Sequence, residues 1–470
     1  MLAIKSNNYL SHYLVTFITF AIIKWIIKYS DKVKNVLCIV MFGLVLMFCI
    51  KLPGQKSPDS YFDHLFKNQK FMGSVAIAHN DSIFYSKSVG YADADKKAEN
   101  NSDTKFRIGS ISKTFTATLI LKAVEEQKLK LSDKLESYYP DIKNAGMITI
   151  EHLLKHRSGI FNFTEIAGAR EWEQAFHTEK EFLDYIIKNE SNFEPGTAYE
   201  YSNTNYAFLG FILQRIYQKP YAEILDEKIC KPLGLKNTYY SFQTDSTRNE
   251  AYSYNIQNSY IRNAKVNFSN HTAGGGIASS ATDVTIFLSA LFNGKLITSE
   301  SLQWMLPATK GEYGMGIIKL GFTKPEGFKH GGRIENYISD YWYFPEERLG
   351  IVVLANAINI NTEDISLTLL KYAYRNLPEL PDFDKTSTLT EAAFKKIKGT
   401  YWVKDKSEMV TISSDGVNMV FQSSGIGQDY IPFKMKRKNE FFYENITLKF
   451  YPEKNECHLK QERIRKVYKK

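Results

Sequence analysis

Phe106-Arg107-Ile108-Gly109-Ser110-Ile111-Ser112-Lys113-Thr114-Phe115, running on in mostly apolar residues to Ala123, decides how the rest of this 470-residue chain is read. Small residues and a serine lead into a segment whose apolar positions Phe115, Leu119 and Leu121 recur at roughly helical spacing. That places Ser110 at or just inside a helix N-terminus. Free backbone N–H groups and the positive end of the helix dipole favour negative charge there, and Lys113, three residues on, projects from the same face. A serine hydroxyl is inert at its own pKa and needs a base beside it, which a partly desolvated neutral lysine supplies. Alone, Ser-x-x-Lys reads more often as a helix cap followed by a solvated lysine, so the reading rests on what the rest of the chain brings.

The length allows two or three cores, and the composition is that of a globular protein. A formal charge of +9 is unevenly placed: seven basic residues stand against one acidic in 1–56, 36 against 40 in 57–385, and 17 against ten in 386–470. The Ser110 region therefore belongs to a mildly acidic body, which argues against nucleic acid as its partner. The basic tail from Lys460 to Lys470 reads as a solvated terminus or as a surface for anionic lipid or polymer. Of four cysteines, Cys38 and Cys49 lie in an apolar segment, leaving Cys230 and Cys457, expected as free thiols. No Cys/His spacing reads as a metal site, and no cofactor is expected. His-Glu-x-x-His, Gly-x-Ser-x-Gly and Gly-Lys-Ser/Thr motifs are absent from the sequence, which removes the commonest zinc-hydrolase, α/β-hydrolase and P-loop readings.

Along the chain, 71–79 and 83–91 are extended runs around Asn80-Asp81, a β-hairpin. From about 111 to 235 the pattern is mainly helical, with a short helix in Thr149-Ile-Glu-His-Leu-Leu-Lys-His156 and a capping box, Thr178 to Glu181, opening another. Residues 284–292 read as a helix capped by Thr282 or Asp283. Residues 313–320, 328–332, 340–344 and 349–355 read as antiparallel strands, and 362–375 as a closing helix. The expected fold class is α+β: one antiparallel sheet flanked by helices, with an inserted mainly helical block. After Pro378-Glu-Leu-Pro381, short strands with turn signals predict a small β-sandwich or barrel. The expected domains are 1–56, 57–380 and 381–470.

A second candidate loop is Glu194-Pro-Gly-Thr-Ala-Tyr-Glu-Tyr201-Ser-Asn203, where Tyr201 and Asn203, two apart, share a side of an extended segment. By itself it reads as well as a packed aromatic and a helix-capping Asn.

Ser110-Ile-Ser-Lys113, Tyr201-Ser-Asn203 and His330-Gly-Gly332, in that order, resemble the serine β-lactamase-like superfamily, which includes class C β-lactamases, D-alanyl-D-alanine carboxypeptidases and related esterases and D-amino-acid peptidases. Leu153-Leu-Lys-His-Arg-Ser-Gly159, 274–283 and 350–356 look like further recurrent segments, so the resemblance covers about 60–375. It implies that Ser110 attacks a carbonyl to give an acyl-enzyme, with Lys113 and Tyr201 handling the proton, the choice of base being open. The backbone N–H groups of Ser110 and Arg333 would form the oxyanion hole, and Gly331 and Gly332 would let substrate lie against the strand. Asn203 would hold a substrate amide or order Lys113. His330 stands where such β-lactamases usually carry Lys, and with Glu335 it shifts the expectation from anionic β-lactams towards a peptidase or esterase. The alternatives are a β-lactamase or a non-catalytic penicillin-binding or cell-envelope binding protein. The expected partner is a small-molecule or peptide substrate, peptidoglycan stem peptide among the candidates.

At the N-terminus, 10–27 and 36–50 are apolar, the second uncharged and preceded by Lys32 and Lys34. From Val33 the chain has the make-up of a signal sequence with an upstream extension, and Leu46-Met-Phe-Cys49 is a poor lipoprotein box. An extracytoplasmic body, secreted or anchored to the inner membrane, is the expectation.

Overall fold

A computed structural model describes residues 58–165, 175–256, 259–263, 267–309, 311–321, 324–376, 379–381, 383, 390–404, 409–414, 419–423, 431–437, 439–443, 446–461 and 464–470. The two N-terminal apolar segments lie outside the described residues. Among the described residues, no helix is long and apolar enough to cross a membrane.

Helix α1 (Asp59–Lys67) leads into the hairpin of β1 (Phe71–His79) and β2 (Ser82–Val89). Asn80 and Asp81 both adopt left-handed φ, 51° and 63°, as a two-residue hairpin turn with the right twist requires. β1 is buried at every position but His79, whereas β2 is largely exposed. The contrast follows from their places in the sheet, whose order is β3–β4–β5–β6–β1–β2, with β3 Ile318–Lys319, β4 Phe328–Ile334, β5 Tyr337–Phe344 and β6 Leu349–Ile358. β1 pairs with β6 from Phe71–Ile358 to His79–Leu349, so the N-terminal hairpin closes onto the C-terminal strands. The helical block between them is an insertion into one antiparallel sheet, as the sequence predicts.

Both sheet faces are covered. Tyr337, Tyr341 and Tyr343 of β5 enter the larger core with the helical block, while Trp342 and Phe344 point the other way, against α1 and the closing helix α7 (Thr362–Ala373). This is the period-two alternation of a strand between two layers. α2 (Ser112–Glu125) is buried on nearly all sides, and its buried polar groups find partners, Thr114 Oγ1 donating to Gly316 O and Thr116 Oγ1 to Ala273 O. Its Phe115 stacks on Phe287 of α6 (Ala281–Phe292), and its neighbours include α5 (Asn203–Tyr217). The shorter helices are α3 (Ile150–Leu154) and α4 (Glu179–Ile187), the latter opened by the Thr178/Glu181 capping box.

Two local readings are corrected. α6 is capped by Ser280, whose hydroxyl accepts Asp283 N–H at 3.2 Å, while the Asp283 carboxylate turns to Asn237 N–H and the Thr238 hydroxyl. The expected strand over 313–320 shrinks to Ile318–Lys319, because the chain bends at Gly316 (φ 72°) to bring its carbonyl to Thr114 Oγ1 at 2.7 Å.

Helix Glu391–Ile397 precedes a closed barrel of eight strands, β7 to β14, in sequence order: Gly399–Trp402, Met409–Ser414, Met419–Ser423, Ile431–Arg437, Glu440–Tyr443, Ile446–Tyr451, Glu456–Gln461 and Ile464–Lys469. Closure comes from Trp402 pairing with Lys469. Tyr401, Val410, Leu448, Phe450, Leu459 and Tyr468 fill its interior, which at eight strands is just wide enough for side chains. Cys230 and Cys457 are both buried free thiols.

Candidate active site

The position of Ser110 is set by backbone against backbone. A single 3₁₀ turn, Gly109–Ile111, precedes α2, and Gly109 there has φ 48°. A Cβ on Gly109 would stand 2.8 Å from Arg333 N, and one on Gly332 would stand 2.1 Å from Ile108 O and 2.9 Å from Ser110 N. Both positions therefore require glycine, since any side chain would push the Ser110 turn off β4. Ser339 Oγ, on the neighbouring β5, donates to Ile108 O at 2.7 Å and pins the turn. The main-chain amides of Ser110 and Arg333 thus lie at the same contact.

Around this contact the structure gathers side chains from three parts of the chain. Half-buried Ser110 has its Oγ 3.1 Å from Lys113 Nζ, and it accepts a hydrogen bond from Tyr201 OH at 2.9 Å. Lys113, in the first turn of α2 and 0% exposed, also donates to Asn203 Oδ1 at 2.7 Å and to Gly274 O at 2.8 Å. Burial holds its pKa well below the usual lysine range. Asn203 opens α5. Its Nδ2 donates to Thr164 Oγ1 at 3.2 Å, which turns its oxygen to the lysine, and its N–H donates to Asn162 Oδ1 at 3.0 Å. Lys113 Nζ lies 4.9 Å from the centre of the Tyr201 ring.

On β4, Phe328, His330, Gly332 and Ile334 are buried and Arg333 is exposed. His330 Nδ1 lies 2.6 Å from Gly331 O, so Nδ1 carries the proton and Nε2 accepts from Tyr313 OH at 3.1 Å. Burial pushes its pKa down to about 3. The imidazole is therefore neutral across the physiological range. Tyr313 is itself buried and its ring lies 5.9 Å from that of Tyr201. Glu335, at φ 50° in the turn after β4, accepts from Ser253 Oγ at 2.7 Å.

One layer out, Arg107 fixes the loops behind the site. Its guanidinium donates to Ser241 O, Gln243 O and Gly276 O and pairs with Glu250 at 2.9 Å, both side chains being almost wholly buried. Gly276 is two residues from the carbonyl that receives Lys113.

A family model described as Beta-lactamase matches residues 59–371. The chain belongs to the Beta-lactamase family. Membership places it in the serine β-lactamase-like superfamily. It is 29% identical over 316 residues to Protein flp of Staphylococcus aureus (strain MW2), a match that covers 64% of this chain and 63% of that one, less than two thirds of the relative's length. The fold is similar to that of D-amino acid amidase from Ochrobactrum anthropi SV3 complexed with D-phenylalanine (TM-score 0.60, 24% identity, 68% of this chain and 98% of that one). It is also similar to the octameric penicillin-binding protein homologue from Pyrococcus abyssi (TM-score 0.60, 24% identity, 87% of this chain and 99% of that one).

Several groups in this Beta-lactamase family site escape the sequence reading. The Gly274 carbonyl is backbone and leaves no residue-type signal. Thr164 looks like an ordinary loop residue, and Tyr313 like the first residue of a strand. His156 falls within the Leu153 to Gly159 segment, yet nothing in its spacing announces that its ring packs 4.3 Å from that of Tyr201.

Proposed function

We propose that this protein is a serine hydrolase that opens amide or ester bonds through an acyl-Ser110 intermediate, with D-amino-acid amides or peptides and small esters as its substrate class. The observation that carries the reading is the arrangement about Lys113 Nζ. Two of its three partners, Asn203 Oδ1 and Gly274 O, are carbonyl oxygens that can only accept, while the third is the Ser110 hydroxyl. A neutral amine has two N–H groups and one lone pair, so with both N–H groups on carbonyls the lone pair faces the serine proton. Among the described residues no carboxylate pairs with Lys113, and its burial favours the neutral amine. Tyr201 OH donating to Ser110 Oγ completes a proton order from tyrosine to serine to lysine.

In this reading Ser110 Oγ bonds to the substrate carbonyl carbon as its proton passes to Lys113. The carbonyl electron pair moves onto oxygen, held by the N–H groups of Ser110 and Arg333. The C–N or C–O bond then breaks, and the leaving group takes a proton from Tyr201, which Lys113 replaces. Water, giving its proton to the same relay, attacks the acyl ester and frees Ser110. His330, neutral and engaged with Tyr313, offers no cation to a substrate carboxylate, which favours amides and esters over anionic β-lactams. The apolar, uncharged 36–50 segment after Lys32 and Lys34 supports an extracytoplasmic body, secreted or anchored to the inner membrane.

Turnover of D-phenylalanine amide, a D-alanyl-D-alanine peptide, a short-chain p-nitrophenyl ester and nitrocefin by wild type and Ser110→Ala tests the reading. Hydrolysis of the amide or ester by wild type alone is expected. Turnover of nitrocefin alone would replace the reading with a β-lactamase, and stable labelling by penicillin without any turnover would replace it with a binding protein.

A further inference from the structure

His156 follows α3 at a left-handed φ of 54° and is 0% exposed. Its two acceptors grip the residues on either side of Tyr201: the carbonyl receives Glu200 N–H at 3.0 Å, and Nδ1 receives Ser202 N–H at 3.1 Å. The imidazole lies 4.3 Å, centre to centre, from the Tyr201 ring, and 4.7 Å from that of Tyr313. The ring's orientation is fixed in turn. Ser158 Oγ lies 2.6 Å from Asn205 Oδ1, which directs Asn205 Nδ2 to His156 Nδ1 at 3.1 Å.

A backbone N–H can only donate, so Nδ1 must carry the lone pair and Nε2 the proton. Nε2 is buried and has no hydrogen-bond partner among the described residues. A buried imidazole with one nitrogen unsatisfied is uncommon, and an apolar ring would fill the same space without that cost. What only a histidine supplies here is an acceptor at Nδ1 depth on a flat ring facing Tyr201. We propose that His156 is the positioning residue of Tyr201, holding the tyrosine between its carbonyl and its Nδ1 lone pair so that the phenol stays 2.9 Å from Ser110 Oγ. This rests on the acyl-serine reading above.

Asn and Gln separate the two nitrogens of the ring. The Oδ1 of His156→Asn falls near the place of Nδ1 and Asn tolerates left-handed φ, whereas His156→Gln puts its amide at the depth of Nε2. The rate of Ser110 phosphonylation by a fluorophosphonate, in which the serine oxygen displaces fluoride from phosphorus, and kcat and KM for the best substrate found, are measured for wild type and both variants, with thermal unfolding alongside. The expected result is a loss of about tenfold or more in phosphonylation rate and kcat for Gln with KM within about twofold, and Asn recovering to within about threefold of wild type. Equal rates in all three, or Gln outperforming Asn, would overturn the proposal. So would a loss in both variants that follows thermal stability. A second readout does not need activity: imidazole ¹⁵N spectra of wild type should show His156 unprotonated at Nδ1 and protonated at Nε2. The opposite tautomer overturns the positioning role even where Ser110 is labelled, whereas failure to label Ser110 with the expected tautomer present strikes the acyl-serine reading and not the His156–Ser202 bond.

Discussion

Gly332 lies so close to the Ser110 turn that a methyl group on its α-carbon would meet Ile108 O at 2.1 Å and Ser110 N at 2.9 Å. Neither contact can be relieved by a side-chain rotation, because both partners are backbone. Gly332→Ala must therefore move the Ser110 turn away from β4, separating the Ser110 and Arg333 amides. The expected outcome is a fall in kcat of about 10²-fold or more, the scale of a lost oxyanion donor, with a destabilisation of about 1–3 kcal/mol from overpacking. Steady-state kinetics and urea denaturation check the two parts separately.

Lys113 gives a pH dependence with a definite sign. In the proposed mechanism the reactive form is the neutral amine, and burial lowers its pKa well below the usual lysine value of 10.5. Activity should rise with pH through an acid limb lying well below 10.5 and then level off. Lys113→Arg, whose guanidinium stays charged, should lose about 10³-fold or more and recover nothing at high pH. A pH–rate profile of both proteins checks this. His330 should add no limb near 6.5, since its pKa is pushed down to about 3.

The Arg107–Glu250 pair should couple stability to the site. Both side chains are almost fully buried, and Arg107 also donates to three backbone carbonyls. Removing one partner leaves an uncompensated buried charge, so Glu250→Ala or Arg107→Ala should cost about 3–5 kcal/mol. Arg107→Ala should in addition lower kcat, because Gly276 loses a tether two residues from the Lys113 acceptor. Chemical denaturation and turnover under folded conditions check both.

Asp340 titrates on the opposite face of the sheet. It is buried between β5 and α7, accepts from Ser366 Oγ at 2.7 Å, and burial pushes its pKa up from 3.8 to about 7. The folded state then binds more protons than the unfolded chain between roughly pH 4 and 7, so stability falls as pH rises through that window. Asp340→Asn, which keeps an acceptor for Ser366, should match wild type near pH 4. It should exceed wild type by a few kcal/mol, about 4 at most, at pH 8. Urea denaturation at pH 4, 6 and 8 checks the trend.

The parts legible in the sequence are those fixed by local periodicity. Phe115, Leu119 and Leu121 mark a helix, three residues put Lys113 on the face of Ser110, and Asn80-Asp81 marks a hairpin. The α+β layout followed from where strand-like runs flank the helical block. Closure of the C-terminal strands was not legible, since it depends on Trp402 meeting Lys469 and not on any alternation within a strand. The Ser280 cap was obscured because Ser-Ala-Thr-Asp offers three capping oxygens within four residues. The strand over 313–320 failed because Gly316 is used for approach to α2 rather than for pairing. In the site, Ser110, Lys113, Tyr201 and Asn203 were legible as candidates and the structure brings them together, whereas the groups that hold them were not legible. The Gly274 carbonyl and the bonds from His156 to Glu200 and Ser202 are set by tertiary contact.

The central claim is that Ser110 is the acylated nucleophile. Wild type and Ser110→Ala are treated with a fluorophosphonate, digested with trypsin, and the peptide Ile108-Gly-Ser-Ile-Ser-Lys113 is sequenced by fragmentation. The adduct is expected on Ser110 of the wild-type peptide and nowhere in the variant. An adduct on Ser112, or one of equal yield that persists in Ser110→Ala, would contradict the account.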